Sequence, residues 1–348
     1  MGNGMMRVMV MPHIREMIME EREIPPLQPD EALVRIRHVG ICGSDVHYYE
    51  DGRIGDFVVE KPIVLGHECA GEIAAIGSAV KTLAIGDRVT VEPGKPCGRC
   101  RYCMEGRYNL CPDMVFMATP PVDGSMAEYI AYPAHLCFKL PDNMSTEEGA
   151  LVDPVAVAYH TTFQAGAAPG KSAIVLGSGT IGVATMMALR SAGVSKVFMT
   201  DAIPNRLRIA KDLGADEALL ADETADIGNV FRALGDEGFD IVVESAGSDK
   251  ALLQSADLVK RGGTIAVVGM TVQSENTIKT TTLLSKEATL KTVFRYRNLW
   301  PVSINAIASG NFPVRKIISG SYPFEESKAA FERCIVDKEN VLKIMLEL

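Results

Sequence analysis

The sequence predicts an α/β protein of two domains, a doubly wound parallel sheet preceded by a mostly β domain. Three observations carry this. Short apolar runs alternate with helical segments after Gly170, a glycine-rich turn separates a strand from a helix at 177–182, and the first part of the chain has β-rich runs broken by Pro and Gly. At 348 residues the chain exceeds what one simple core requires, so two domains are expected.

In the first domain the β-rich runs are 7–10, 32–39 and 70–76, separated by clusters such as 24–30. The segment 96–112 has no hydrophobic period and reads as a loop shaped by something other than a core. The stretch 146–163 is helix-like. Six strands follow at 172–176, 196–200, 217–220, 240–244, 263–268 and 289–293, enough for a complete dinucleotide-binding unit. The expected division is therefore 1–152 for the β-rich domain, 153–293 for the sheet domain, and 294–348 for a tail that returns to the first domain.

Composition excludes several partners. The net charge is -9 and no run of lysine or arginine occurs, so neither a nucleic-acid backbone nor an anionic membrane finds a basic surface. Apolar stretches such as 172–175 and 264–270 end well short of the roughly 20 residues a spanning helix needs. Residues 1–6 lack the basic and apolar regions of a signal peptide, and the expected location is cytoplasmic. Four of the eight cysteines crowd into 97–111, which favours a metal in a reducing compartment over a disulfide framework.

The turn Gly177-Ser178-Gly179-Thr180-Ile181-Gly182 follows the strand 172–176 and opens the helix 183–192. Gly177 permits the tight turn, Gly179 lets a pyrophosphate approach the backbone, and Gly182 lets helix and strand pack closely. Asp201 lies about 20 residues further on, where an acid accepts from the adenine ribose hydroxyls and repels a 2′-phosphate. NAD is thereby favoured over NADP. Arg206 suits either a 2′-phosphate or stacking on adenine. Thr180, Ile181, Val268, Gly269, Met270, Val293 and Phe294 are expected to complete the cofactor surface.

Cys97, Cys100, Cys103 and Cys111 form C-x2-C-x2-C-x7-C. Four thiolates on a coreless loop suit a closed structural zinc, with an iron–sulfur cluster as the competing reading. Elsewhere Cys42 and the pair His67-Glu68 offer a thiolate, an imidazole and a carboxylate, the three-ligand set of a catalytic zinc.

Cys42-Gly43-Ser44-Asp45, Gly66-His67-Glu68, the four-cysteine loop and 177–182 occur in an order that resembles the zinc-containing medium-chain alcohol dehydrogenases over essentially the whole chain. Within them the sequence looks most like the sorbitol/xylitol dehydrogenase branch, through Val46-His47-Tyr48-Tyr49, 118–124 and Val293-Phe294-Arg295-Tyr296. The resemblance implies a GroES-like catalytic domain beside a Rossmann sheet. It also implies catalytic zinc on Cys42, His67 and Glu68, a second zinc on the four cysteines, and a homotetramer. Asp45 is implied to steady His67, Ser44 to pass the hydroxyl proton outward, and His47 to be either a later relay member or an ordinary surface histidine. Tyr48, Arg295 and Tyr296 supply hydroxyl-pairing groups for a linear polyol.

One departure stands out. The branch pattern has a glutamate where this chain has Asp153, and the shorter reach places Asp153 at the edge of the metal site or on the polyol. The implied activity is NAD-linked, zinc-dependent oxidation of sorbitol or xylitol to a ketose. The competing substrates are a vicinal diol, threonine or a simple alcohol, and a non-catalytic NAD-binding relative is the rival of a different class.

Overall fold

The computed structural model describes residues 4–221, 237–270 and 275–348. The chain forms two compact units, Met1–Asp153 with Trp300–Leu348, and Pro154–Leu299. The return to the first unit thus begins at Trp300, where the sequence reading puts it at residue 294. No described helix is long and apolar enough to cross a membrane.

The first unit is built on a seven-stranded sheet. Its main path runs Cys137–Lys139, Arg88–Val91, Glu68–Ile76, Glu31–Gly40, Lys343–Glu347, Ile318–Pro323, and Tyr129–Pro133 also pairs with Glu31–Gly40. The expected runs at 32–39 and 70–76 lie inside two of these strands. The strand Glu31–Gly40 is central: Gly40 faces Glu68 on one side and Met345 on the other, so the C-terminal strand is carried to the start of Glu68–Ile76. A smaller sheet joins Met5–Met11 to Ile18–Glu23 and Ile63–Val64. Apolar side chains from both sheets and from the helix Ser327–Val336 make one core, including Val34, Ile36, Ile73, Phe331 and Ile344. Several of these strands are buried at consecutive positions, as in 343–346 and 68–71, so both their faces are covered.

The second unit is a six-stranded sheet, parallel throughout. Its order is Glu217–Leu220, Lys196–Asp201, Ser172–Leu176, Phe239–Glu244, Val259–Val267, Thr289–Thr292. All six strands read from the sequence are present, with ends shifted by a few residues. The chain order reverses direction between Ser172–Leu176 and Phe239–Glu244, which makes the carboxyl ends of those strands a topological switch point. Ile174, Leu176, Val242 and Ile265 are buried in its core, as expected of strands covered on both faces.

The helix-like stretch 146–163 is two helices, Thr146–Ala150 and Val152–Gln164, divided at Leu151. Ser145 caps the first through a reciprocal pair with Glu148. The divide puts Asp153 in the first turn of the second helix, 5% exposed.

Candidate functional site

The helix Gly43–Asp51 is capped by Cys42, which has an extended backbone (φ -86°, ψ 155°). Asp45 is fully buried and takes two backbone hydrogen bonds, from Cys42 N at 3.0 Å and from Gly66 N at 2.9 Å. It therefore joins the two segments that carry the candidate ligands. His67 Nδ1 lies 3.6 Å from Asp45 Oδ1, longer than a hydrogen bond, and both side chains are buried, so the carboxylate acts on the ring electrostatically. Phe116 packs on the imidazole with ring centroids 5.6 Å apart.

The ligand atoms of Cys42, His67 and Glu68 all lie within 4.8 Å of one another, and Asp153 is outside that group. One thiolate, one imidazole and one carboxylate fit the donor preferences of zinc with a position left open. Burial disfavours a charged His67, yet Asp45 and Cys42 favour it more strongly and hold its pKa well above the ordinary value. A metal binding there must displace that proton.

Glu68 has a partner that the sequence reading missed. Lys343 Nζ lies 2.7 Å from both Glu68 oxygens and donates to the Ile41 carbonyl at 2.9 Å, and both side chains are buried. Burial works against the Lys343 charge, but Glu68 and then Cys42 outweigh it and raise its pKa. Gly40 makes the space, because a methyl there would collide with Glu68 Oε2. The only signal in the sequence is a lysine within the apolar run 341–346.

Ser44 is half-buried one residue before Asp45, and His47 sits one helical turn beyond it, exposed, with Nδ1 3.6 Å from Asp51. Tyr48 faces inward and is 4% exposed within the apolar core.

The four cysteine sulfurs of 97–111 also lie within 4.8 Å of one another. Cys97 N donates to Cys111 Sγ and Cys100 N to Cys97 Sγ, each at 3.3 Å. The backbone N–H groups of Arg99 and Cys100 bring Cys97 down to about 7, whereas burial and then Cys100 push Cys103 up to about 12. None of the eight cysteines is disulfide-bonded. Four sulfurs at this spacing with N–H groups directed at them suit a tetrahedral thiolate site. Glu92, which the sequence reading also missed, braces this loop: it is 3% exposed and accepts from Tyr108 Oη at 2.7 Å. Burial lifts its pKa to about 7 against the Tyr108 hydrogen bond, with Asp153 adding to the rise.

In the second unit Gly177 has φ +101° and a Cβ there would lie 2.8 Å from Ala246 N. A Cβ on Gly182 would collide with the Gly177 carbonyl oxygen. Only glycine fits either position. The helix Thr180–Ser191 follows with Gly179 as its cap and no side-chain cap hydrogen bond, so the positive end of the helix stands directly behind the glycine turn, an arrangement that suits an anion. Asp201, 8% exposed, accepts from Ser178 N at 2.7 Å and from Ile203 N at 2.9 Å. It thus holds the glycine turn in addition to any ribose. Arg206 approaches the turn: a Cβ on Gly179 would meet its Nη1 at 4.0 Å, and its Nε has no hydrogen-bond partner among the described residues.

Val268 and Gly269 are half-buried at the end of Val259–Val267, while Met270 and Phe294 are exposed and Val293 is half-buried. Arg295 has a left-handed backbone (φ 53°) and its guanidinium lies 4.7 Å from the Phe294 ring centroid. Tyr296 is 4% exposed.

Comparison with known proteins agrees with both halves. Residues 28–142 match the model of the alcohol dehydrogenase GroES-like domain and residues 180–309 that of the zinc-binding dehydrogenase. The chain is 41% identical to a sorbitol dehydrogenase of Bacillus subtilis, over 98% of this chain and 97% of that one. It is 39% identical to a probable D-xylulose reductase A of Aspergillus clavatus, over 93% and 92%. A structure from E. coli, described as a short chain alcohol dehydrogenase complexed with NADH, superposes with a TM-score of 0.92. It shares 26% identity and covers 99% of each chain.

Proposed function

The chain belongs to the zinc-binding medium-chain alcohol dehydrogenases, and on that footing we propose that it oxidises a polyol, sorbitol or xylitol, to the ketose with hydride transfer to NAD. The observation that carries the reading is the grouping of Cys42, His67 and Glu68 within 4.8 Å, in a chain 41% identical to a sorbitol dehydrogenase.

Cys42, His67 and Glu68 would hold the catalytic zinc. Bound there, zinc would supply the Lewis acidity that makes a substrate hydroxyl easier to ionise, and NAD would supply the hydride acceptor. Asp45 fixes the angle between the Cys42 and His67 segments through its two backbone hydrogen bonds. Lys343 neutralises Glu68 and orients both its oxygens. Ser44 takes the hydroxyl proton, and His47, one turn away on the same helix, is the next acceptor toward solvent. Tyr48, Asp153, Arg295 and Tyr296 are the side chains proposed to pair with a polyol's hydroxyls.

Cys97, Cys100, Cys103 and Cys111 would hold a second, structural zinc, whose closed sulfur shell leaves no position for substrate. Asp201 favours NAD over NADP, and the cofactor surface runs from Gly177, Gly179, Thr180, Ile181 and Gly182 to Val268, Gly269, Met270, Val293 and Phe294. A cytoplasmic homotetramer is supported by likeness to the branch, and sedimentation of the purified protein tests the assembly.

The test is NAD reduction screened across sorbitol, xylitol, 2,3-butanediol, threonine and ethanol. Turnover is expected to be highest on sorbitol or xylitol, and a preference for ethanol would overturn the polyol assignment.

A further inference from the structure

Glu244 ends the strand Phe239–Glu244 beside the switch point and is 1% exposed. An acid buried this deeply is ordinarily paired with a cation. Here Oε1 accepts from Gly247 N at 2.8 Å, the N–H groups of Ser248 and Ala246 also act on the carboxyl, and Oε2 has no hydrogen-bond partner among the described residues. Burial pushes its pKa up, and those N–H groups offset only part of the rise.

The same residue lies at the contact of two turns. Its backbone carbonyl accepts from Val268 N at 2.9 Å and Gly269 N at 3.0 Å. A Cβ on Gly269 would lie 2.6 Å from Glu244 Oε2, and one on Gly247, at φ +63°, would collide with the Met270 carbonyl. The backbones of 247 and 269–270 approach so closely that only glycines fit at 247 and 269, and the Glu244 carboxyl is wedged against that contact.

A dinucleotide lying across the carboxyl ends of this sheet has its adenosine at Asp201 and its pyrophosphate at the helix Thr180–Ser191. Its other half must then lie over the strands on the far side of the switch point, where 244–248 and 268–270 stand.

Resting on the NAD reading above, we propose that Glu244 is a positioning residue for the nicotinamide half of the cofactor. Its wedged carboxyl fixes the backbone of Val268, Gly269 and Met270 against the turn 245–248, and so sets the wall on which the nicotinamide ring lies. Removing the carboxyl strips the acceptor from Gly247 N and lets the two turns move apart. An amide in its place keeps both the acceptor and the volume.

The test titrates the full-length protein with NADH and with ADP-ribose, which lacks the nicotinamide ring, and compares the unmodified chain with Glu244→Ala, Glu244→Gln and Gly269→Ala. Glu244→Ala and Gly269→Ala are expected to weaken NADH about tenfold or more and ADP-ribose less than about twofold, while Glu244→Gln stays within about threefold for both. Equal weakening of the two ligands, or unchanged NADH binding in Glu244→Ala and Gly269→Ala, overturns the proposal. Gly269→Ala retains the Glu244 side chain but forces it and the Gly247 backbone away from residue 269, so it disturbs the same contact even where Glu244→Ala fails to fold. An unmodified chain that binds neither ligand overturns the NAD reading and this inference together. Binding of both ligands with variants that do not separate them overturns this inference alone.

Discussion

Lys343 Nζ is 2.7 Å from both carboxylate oxygens of Glu68, and the two side chains, 275 positions apart in the chain, are 2% and 1% exposed. A buried pair of this kind gives little net stability against an apolar replacement, yet removing one partner leaves the other charge uncompensated. Lys343→Met is therefore expected to lower unfolding free energy by about 3 to 5 kcal/mol, read by denaturant titration. Zinc would offset part of the loss by meeting the Glu68 charge, so chelation should destabilise the variant more than the unmodified protein. Equal effects of chelator on both would show that Glu68 does not face the metal.

Two metal sites of different kind predict two zinc ions per chain and two separable losses. Cys42→Ala should retain one zinc and bind NADH unchanged, while turnover falls by about 10³-fold or more, since Lewis-acid stabilisation is worth several kcal/mol. Cys103→Ser should remove the other zinc and lower the thermal midpoint through the loop 96–112. Elemental analysis of each variant decides the matter, and full zinc content in Cys42→Ala would take Cys42 out of the ligand set.

Glu92 predicts a specific pH dependence. Its pKa rises to about 7 on folding because burial disfavours the charge. The folded state therefore binds more protons than the unfolded one between the ordinary carboxyl range and about 7. Its contribution is fully present at low pH and is lost as pH rises through that window. Glu92→Gln should flatten the decline in thermal midpoint across this interval, and an unchanged slope would remove Glu92 as its cause.

Asp201 holds the glycine turn and also repels a 2′-phosphate, and one substitution can separate the two roles. Asp201→Asn keeps one oxygen to accept from Ser178 N, gives up the acceptor for Ile203 N, and drops the charge. The preference for NAD over NADP, taken as the ratio of kcat/KM values, should fall by about tenfold, the scale of one charged hydrogen bond. A preference that stays put would place the discrimination elsewhere.

The sequence by itself determined the second unit's sheet, its glycine turn and the two sets of candidate metal-ligating side chains. Each depends on neighbours in the chain. The turn 177–182 needs glycines at fixed spacing because a Cβ would strike backbone, and the four cysteines stand at short spacings within one loop, which brings their sulfurs within 4.8 Å of one another. His67 and Glu68 were legible as adjacent residues, and Cys42 through the local pattern around it.

Only the tertiary structure decided what surrounds those groups. Gly40 faces both Glu68 and Met345, and that register alone brings Lys343 to a carboxylate encoded far away. Asp45 links Cys42 to Gly66, Glu92 meets Tyr108, and Glu244 sits against Gly269, each across strands or turns distant in sequence. A buried charge must find its partner wherever packing places one, and a linear sequence does not record distances between strands.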